Sequence, residues 1–252
     1  MAEQLSFHLE PRMPNPGDVA PMWPTPRPDA FDSADWLFEP TWGGHRVLAF
    51  VGPADQPGGG EVRVVDARGA SFQAVLPELA GLAVRVAARS AVLDGELVAV
   101  DGQGHADDDA LRRRLSGQPG RRVALLVFDL LHLDGRWLLG QPLERRRAAL
   151  RRILRPGDEV VTVPAILGEG LALHAAVSAQ GVAGVLARQR TSPYLPGVRS
   201  TLWRSIEAGP ADAGTGESVE AEPDADGFIT TPATAPVLAI FRRLPLPEDP
   251  DQ

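Results

Sequence analysis

The chain has 252 residues, 44% of them hydrophobic, with no cysteine and a formal net charge of −8. That length and apolar content supply a real core in one or two domains, and the lack of cysteine excludes a disulfide framework, a thiolate metal site and a thiol nucleophile. The negative balance excludes binding a polyanion by bulk charge, and because all 25 basic residues are arginine, no lysine amine is on hand as a nucleophile.

The charge is unevenly placed. Residues 208–252 hold nine acids and two arginines, a net −7, whereas residues 1–207 come to −1. No run of about 18 apolar residues occurs, and the first 21 residues lack a signal-peptide pattern. The expectation is a cytoplasmic protein with no membrane span, made of a nearly neutral body and an acidic tail.

In chain order, residues 1–30 are Pro-rich and expected to be irregular, since seven prolines between Pro11 and Pro28 forbid a long helix. Residues 36–38 and 46–51 read as strands flanking a tight turn at Gly43-Gly44, an ordinary hairpin on the simplest reading. Residues 53–60 read as a loop, and residues 61–66 as a strand by β-branched content. Residues 74–88 have apolar spacing near helical, with Pro77 in the first turn. Residues 90–101 read as a buried hairpin or kinked strand around Asp94-Gly95.

Further on, residues 107–115 form a short polar helix, and residues 123–131 a continuous apolar run expected of a central strand. Residues 143–154 read as an Arg-rich amphipathic helix, a solvated face with a leucine stripe. Strands are expected at 160–164 and 184–187, with a helix at 168–180 between them. Residues 208–235 have a disorder-type composition, and 236–246 could form one short strand. Alternating strands and helices indicate α/β or α+β. Neither a P-loop nor a G-x-G-x-x-G motif occurs.

The stretch Trp36-Leu37-Phe38-Glu39-Pro40-Thr41-Trp42-Gly43-Gly44-His45-Arg46 sets two charges among three aromatics. It resembles the nucleotide-attachment motif of ATP-dependent DNA ligases of the bacterial repair type, Trp-x-x-Glu-x-Lys-Trp-Asp-Gly-x-Arg. Thr41 stands at the lysine position and Gly43 at the aspartate position.

The resemblance continues in order to Glu207. Ala67 lies at an arginine position, with Arg68 beside it. Leu93-Asp94-Gly95-Glu96 matches the Asp-Gly-Glu motif, and Phe128-Asp129-Leu130-Leu131 the Phe-Asp-Leu-Leu motif. Ala183 and Arg188 occupy the acid and lysine positions of Glu-Gly-x-x-x-Lys. Trp203-Arg204-Ser205-Ile206-Glu207 falls on Trp-x-Lys-x-Lys, with Ser205 and Glu207 at the lysine positions.

The resemblance implies an α+β (α/β-like) fold: a ligase-type nucleotidyltransferase domain (ATP-grasp-like adenylation) with antiparallel sheets and flanking helices. It implies an irregular Pro-rich segment at 1–20, the adenylation domain at 21–207 and an acidic, mostly disordered tail at 208–252. No OB-fold domain is expected, because five strands of such a barrel do not fit the remaining acidic residues.

In that family a lysine amine attacks the α-phosphate of ATP to give a lysyl-adenylate, with Mg2+ and further lysines offsetting phosphate charge. The resemblance puts Glu39 at the adenine edge, Phe128 against the base, Glu96 and Arg46 toward the ribose, and Arg188 at a phosphate-side position. The replaced positions are the nucleophile (Thr41), the metal ligand (Ala183), the Gly43 position and the phosphate clamps (Ser205, Glu207). No catalytic residue and no metal ligand is therefore expected, and binding of ATP or AMP is expected to be weak.

Each retained residue has a structural alternative. Phe128 would serve as core, Glu96 as a turn carboxylate, and Glu39 and Arg46 as partners of one another. Three functional readings stay open: a non-catalytic pseudo-ligase of DNA repair and recombination ancestry; an active nucleotidyltransferase using Thr41 or His45 as nucleophile; and a protein-interaction scaffold working through its acidic tail. None of them expects tight DNA binding by charge.

Overall fold

The computed structural model describes residues 13–52, 60–99 and 106–208. The expected loop at 53–60, apart from Gly60, the acidic tail, apart from Ala208, and the short strand at 236–246 lie outside these residues. Two sheets carry the fold. The first is five-stranded, in the order β1 (Trp23–Pro26), β11 (Arg199–Glu207), β10 (Gly184–Gln189), β2 (Ser33–Thr41), β9 (Ile166–Gly168). The second runs β4 (Val62–Asp66), β3 (His45–Val51), β5 (Ala91–Val98), β6 (Ala124–Leu133), β7 (Arg136–Trp137), and β8 (Val160–Thr162) pairs with β6. Pairing is antiparallel except for β1 with β11 and β6 with β8.

One hydrophobic cluster joins the two sheets: Phe38, Trp203 and Ile206 from the first, with Trp42 from the connection between the sheets, meet Leu48, Val92, Leu126 and Phe128 from the second. The alternate residues of the second sheet, Val47, Leu93, Leu125 and Val127 among them, face a second cluster. That cluster also takes in Leu111 of α2 (Asp108–Leu115) and Leu150 and Ile153 of α3 (Leu143–Ile153). β5 is buried at all eight residues, so the carboxylates of Asp94 and Glu96 in its middle lie in the interior and need buried partners. Helix α4 (Gly170–Ala179) packs against β10 and β2 of the first sheet.

Several expectations are corrected. The Gly43-Gly44 turn does not close a hairpin: β2 pairs with β10 and β9, whereas β3 pairs with β4 and β5, so the turn carries the chain from one sheet to the other. The apolar stretch at 74–88 splits into a 3-10 turn (Pro77–Gly81) and a single helical turn, α1 (Leu82–Arg85), where Pro77 at the first position suits either geometry. Residues 91–98 are one kinked strand. Trp23–Pro26, within the Pro-rich start, is an edge strand, a position where missing N–H groups cost little. Helix α3 is not merely a solvated face, because Arg146 and Arg147 are buried.

Candidate functional site

The site forms where the two sheets face one another, and a bulge in β6 shapes it. Gly95 pairs with Val127 and Asp94 with Asp129, so Phe128 is the extra residue at a register shift. A bulge leaves backbone groups outside the ladder and re-aims side chains. The freed carbonyl of Phe128 accepts hydrogen bonds from Arg147 Nη1 and Arg188 Nη2, both at 2.8 Å.

Glu39, on β2, is 1% exposed. Its carboxylate accepts from Arg188 Nη2 at 2.7 and 2.5 Å and pairs with Arg147 as well. Arg46 is not its partner, contrary to the mutual-pair alternative. Arg46 instead donates to Asp94 from Nε at 2.6 Å and from Nη2 at 2.7 Å. Asp94 also accepts from the hydroxyl of Tyr194 at 2.7 Å. Burial works against the charge on Arg46, but the adjacent Asp94 outweighs it and holds the guanidinium above its ordinary range.

Phe128 is buried between these charges. The guanidinium carbons of Arg46 and Arg188 lie over its ring at 4.5 and 4.9 Å from the centroid. Arg188 also lies 4.9 Å from the centre of Trp203. These are cation–π distances, and they occupy the ring that the resemblance assigns to a base.

Glu96 is turned to the loop. It accepts from the backbone N–H of Trp42 and of Gly44, each at 3.1 Å, and from the hydroxyl of Thr41 at 3.2 and 3.4 Å. Burial pushes its carboxyl above the ordinary range in spite of these donors. Gly43 takes φ +71°, and a Cβ there would stand 3.3 Å from that of Ala183. A Cβ on Gly44 would fall 2.2 Å from the carbonyl oxygen of Leu97, so the loop is clamped to β5 at a residue that only glycine fits.

The replaced positions fall together around this loop. Thr41 is opposite Gly184 and Glu207 is opposite the same Gly184 from the other side, with Ser205 opposite Leu186. Ala183 is exposed and offers only a methyl group. With Glu96 committed to the loop, the residues around Thr41 do not make a divalent-cation ligand set, and among the described residues no group of three His, Asp or Glu side chains could hold a metal. His45 sits at the start of β3, 3.4 Å from Asp66.

Asp94, Asp129, Arg146, Arg147 and Tyr194 belong to the site but are not among its expected residues. Arg146 binds Asp129 through Nε and Nη2, each at 2.9 Å, with both side chains fully buried. Arg147 and Tyr194 complete the set. The signals were present: Leu143, Arg146, Arg147, Leu150 and Ile153 share one helix face by spacing, and an acid inside the apolar run of β6 requires a buried partner.

This two-sheet α+β arrangement is that of a nucleotidyltransferase domain. The family described as ATP dependent DNA ligase domain matches residues 29–206, and the chain belongs to it. The multifunctional non-homologous end joining DNA repair protein LigD of Mycobacterium tuberculosis is 37% identical over 174 residues, covering 68% of this chain and 21% of that protein. The Mycolicibacterium smegmatis LigD is 32% identical over 189 residues, covering 75% of this chain and 24% of its own length. A solved structure of mycobacterial DNA ligase D complexed with ATP and MES superposes with a TM-score of 0.64 at 30% identity, covering 77% of this chain and 61% of that one. The ligase domain of Mycobacterium tuberculosis LigD gives 0.63, also at 30% identity, over 77% of this chain and 60% of that one. The chain thus spans about a fifth to a quarter of the length of these LigD proteins.

No helix among the described residues is long and apolar enough to cross a membrane.

Proposed function

We propose that this chain is a non-adenylating member of the DNA ligase family, a pseudo-ligase of DNA repair and recombination ancestry that binds adenine nucleotide weakly at most. One observation carries the reading. The side chains kept from the nucleotide site are engaged with one another: Glu39 by Arg188 and Arg147, Phe128 by Arg46 and Arg188, and Glu96 by the 41–44 loop. A base seeking Phe128 and Glu39 must first displace guanidiniums from a buried pair, which costs several kcal/mol in general.

Replacement of the nucleophile supports the same reading. Thr41 offers a hydroxyl whose near neighbour is the carboxyl of Glu96, but an attacking hydroxyl also needs phosphate charge offset by metal or cations. Ser205 and Glu207 supply none, and Glu207 adds like charge near a triphosphate. Arg188, at a family lysine position, is a fixed fork spent on Glu39 rather than a mobile point charge.

The test is incubation with α-labelled ATP and Mg2+ or Mn2+, followed by denaturation. No protein-bound label is expected. Stoichiometric label overturns the reading, and its mapping to Thr41 or His45 establishes the substituted-nucleophile alternative. Titration with adenosine, AMP and ATP is expected to give weak and similar affinities, with little effect of Mg2+. A preference for ATP of tenfold or more, about 1.4 kcal/mol, would mean that phosphate contacts persist.

A further inference from the structure

The buried charge network is unbalanced. Arg146, Arg147 and Arg188 bring three guanidiniums to the two carboxylates of Glu39 and Asp129, and all five residues are buried. The neighbouring Arg46–Asp94 pair is neutral in itself. An excess interior charge is costly without a counter-charge. Burial pushes the Arg147 guanidinium below its ordinary value, with Arg188 and Arg151 acting in the same direction and Glu39 against it.

Arg147 lines a cavity of about 590 Å³ between α3, β2 and the chain following β8. The side chain is 97% removed from solvent, its Nη atoms donate to the carbonyls of Phe128 and Val163, and its Nε has no hydrogen-bond partner among the described residues. Arg151, one helical turn further on, lines the same cavity and is exposed. Among the described residues the one acid in the lining, Glu144, is already bound by Arg190 at 2.9 and 2.8 Å. The walls are apolar: Leu37, Leu154, Val163 and Pro164. A pocket with mostly apolar walls and a few convergent polar groups is the general form of a small-molecule site. None of Glu39, Thr41, Arg46, Glu96, Phe128 or Arg188 lines it.

We infer that this cavity binds a small organic anion, a carboxylate or phosphate monoester on a compact aryl or branched-alkyl body. The anionic group faces Arg147 and Arg151 and supplies the negative charge that the buried network lacks. The body lies against Leu37, Leu154, Val163 and Pro164. The ligand is anchored by charge-assisted hydrogen bonds, which are about twice as strong as neutral ones. The cavity lies outside the expected adenine position and touches it only through Arg147, and its occupancy does not require adenylation of the chain.

The experiment uses the full chain with methyl-labelled Leu and Val, titrated at constant ionic strength with benzoate, phenyl phosphate and the neutral isostere benzamide. Benzoate or phenyl phosphate should shift the methyl signals of Leu37, Leu154 and Val163 saturably, with a Kd on the order of 1 mM, as small ligands allow. Benzamide should bind at least about tenfold more weakly. Arg151→Gln, at an exposed position outside the core, should weaken benzoate by about three- to tenfold. Ala165→Trp, which fills the cavity, should abolish the shifts. Equal binding of benzamide, shifts that map elsewhere, no saturable shift up to about 10 mM, or unchanged binding in both variants would each overturn the inference.

Discussion

Arg188 donates through Nη2 to both carboxylate oxygens of Glu39, at 2.7 and 2.5 Å, across the space between two adjacent strands, with neither side chain reaching solvent. β10 places Arg188 opposite Leu37, two residues before Glu39 on β2, so the contact is diagonal across the strand pair, which suits a long side chain. Without Arg188, Glu39 keeps Arg147 and Asp129 keeps Arg146, so no carboxylate is left unpaired. Arg188→Ala should therefore destabilise the domain by about 1–3 kcal/mol in urea unfolding, through the lost hydrogen bonds to Glu39 and to the Phe128 carbonyl. Arg188→Lys keeps the charge but loses the fork shared among Glu39, Phe128 O and Asp129, and should fall between the two. An Arg188→Ala variant of wild-type stability would show that the network contributes nothing to the fold.

Restoring the family nucleophile alone should not restore chemistry. In Thr41→Lys the new amine emerges beside Glu96, whose oxygens now bind the Thr41 hydroxyl. The neighbouring Ala183 still lacks a carboxylate, and Arg188 remains in its pair. The expected result is no label from α-labelled ATP with Mg2+. Stoichiometric labelling of this single variant would mean that the phosphate side needs neither Ala183 nor Ser205 to change.

The sequence showed the architecture better than the site. The apolar run ending at Leu131 and the intact Asp94-Gly95-Glu96 turned out to be the adjacent strands β6 and β5. The order of motifs from Trp36 to Glu207 spans the two-sheet domain. What remained hidden was pairing between distant residues. Glu39 and Arg188 are 149 positions apart and Asp94 and Tyr194 are 100 apart, so no local periodicity links them. The bulge at Phe128 has no marker of its own in β6; its cause lies in the register against Asp94 and Gly95. Crossing of the 41–44 loop between sheets was equally invisible, because Gly-Gly between two strands is also the pattern of a hairpin.

His132 gives a pH signature. It lies 2% exposed, its ring edge-on to Trp137 at 5.2 Å, and burial pushes its imidazole below the ordinary value of 6.5. The unfolded chain thus takes up this proton at a higher pH than the folded one. The contribution to stability is fully present above about 6.5 and is lost as pH falls toward the depressed folded value. The urea midpoint of the wild type should drop between about pH 7 and 5, and the drop should be smaller in His132→Phe. Taking the difference between the two proteins cancels His45 and His174. Parallel profiles would rule out a buried neutral His132.

The 41–44 loop, which would present a nucleophile, rests on two glycines held in different ways. Gly44→Ala sets a Cβ 2.2 Å from the Leu97 carbonyl oxygen and 2.7 Å from Val98 Cγ1, so backbone must move, at a cost of about 1–3 kcal/mol. Gly43→Ala meets a different penalty. Its φ of +71° is left-handed, where a Cβ costs roughly 1–2 kcal/mol, and its nearest neighbour, Ala183 Cβ at 3.3 Å, is on an exposed residue that can give way. Asparagine tolerates this backbone region better than alanine. Stability should therefore fall in the order Gly43→Asn, Gly43→Ala, Gly44→Ala, with Gly44→Ala the least stable by urea midpoint. Were Gly44→Ala the best tolerated of the three, the loop could not be clamped to β5 by backbone contact, and Glu96 alone would hold it in place.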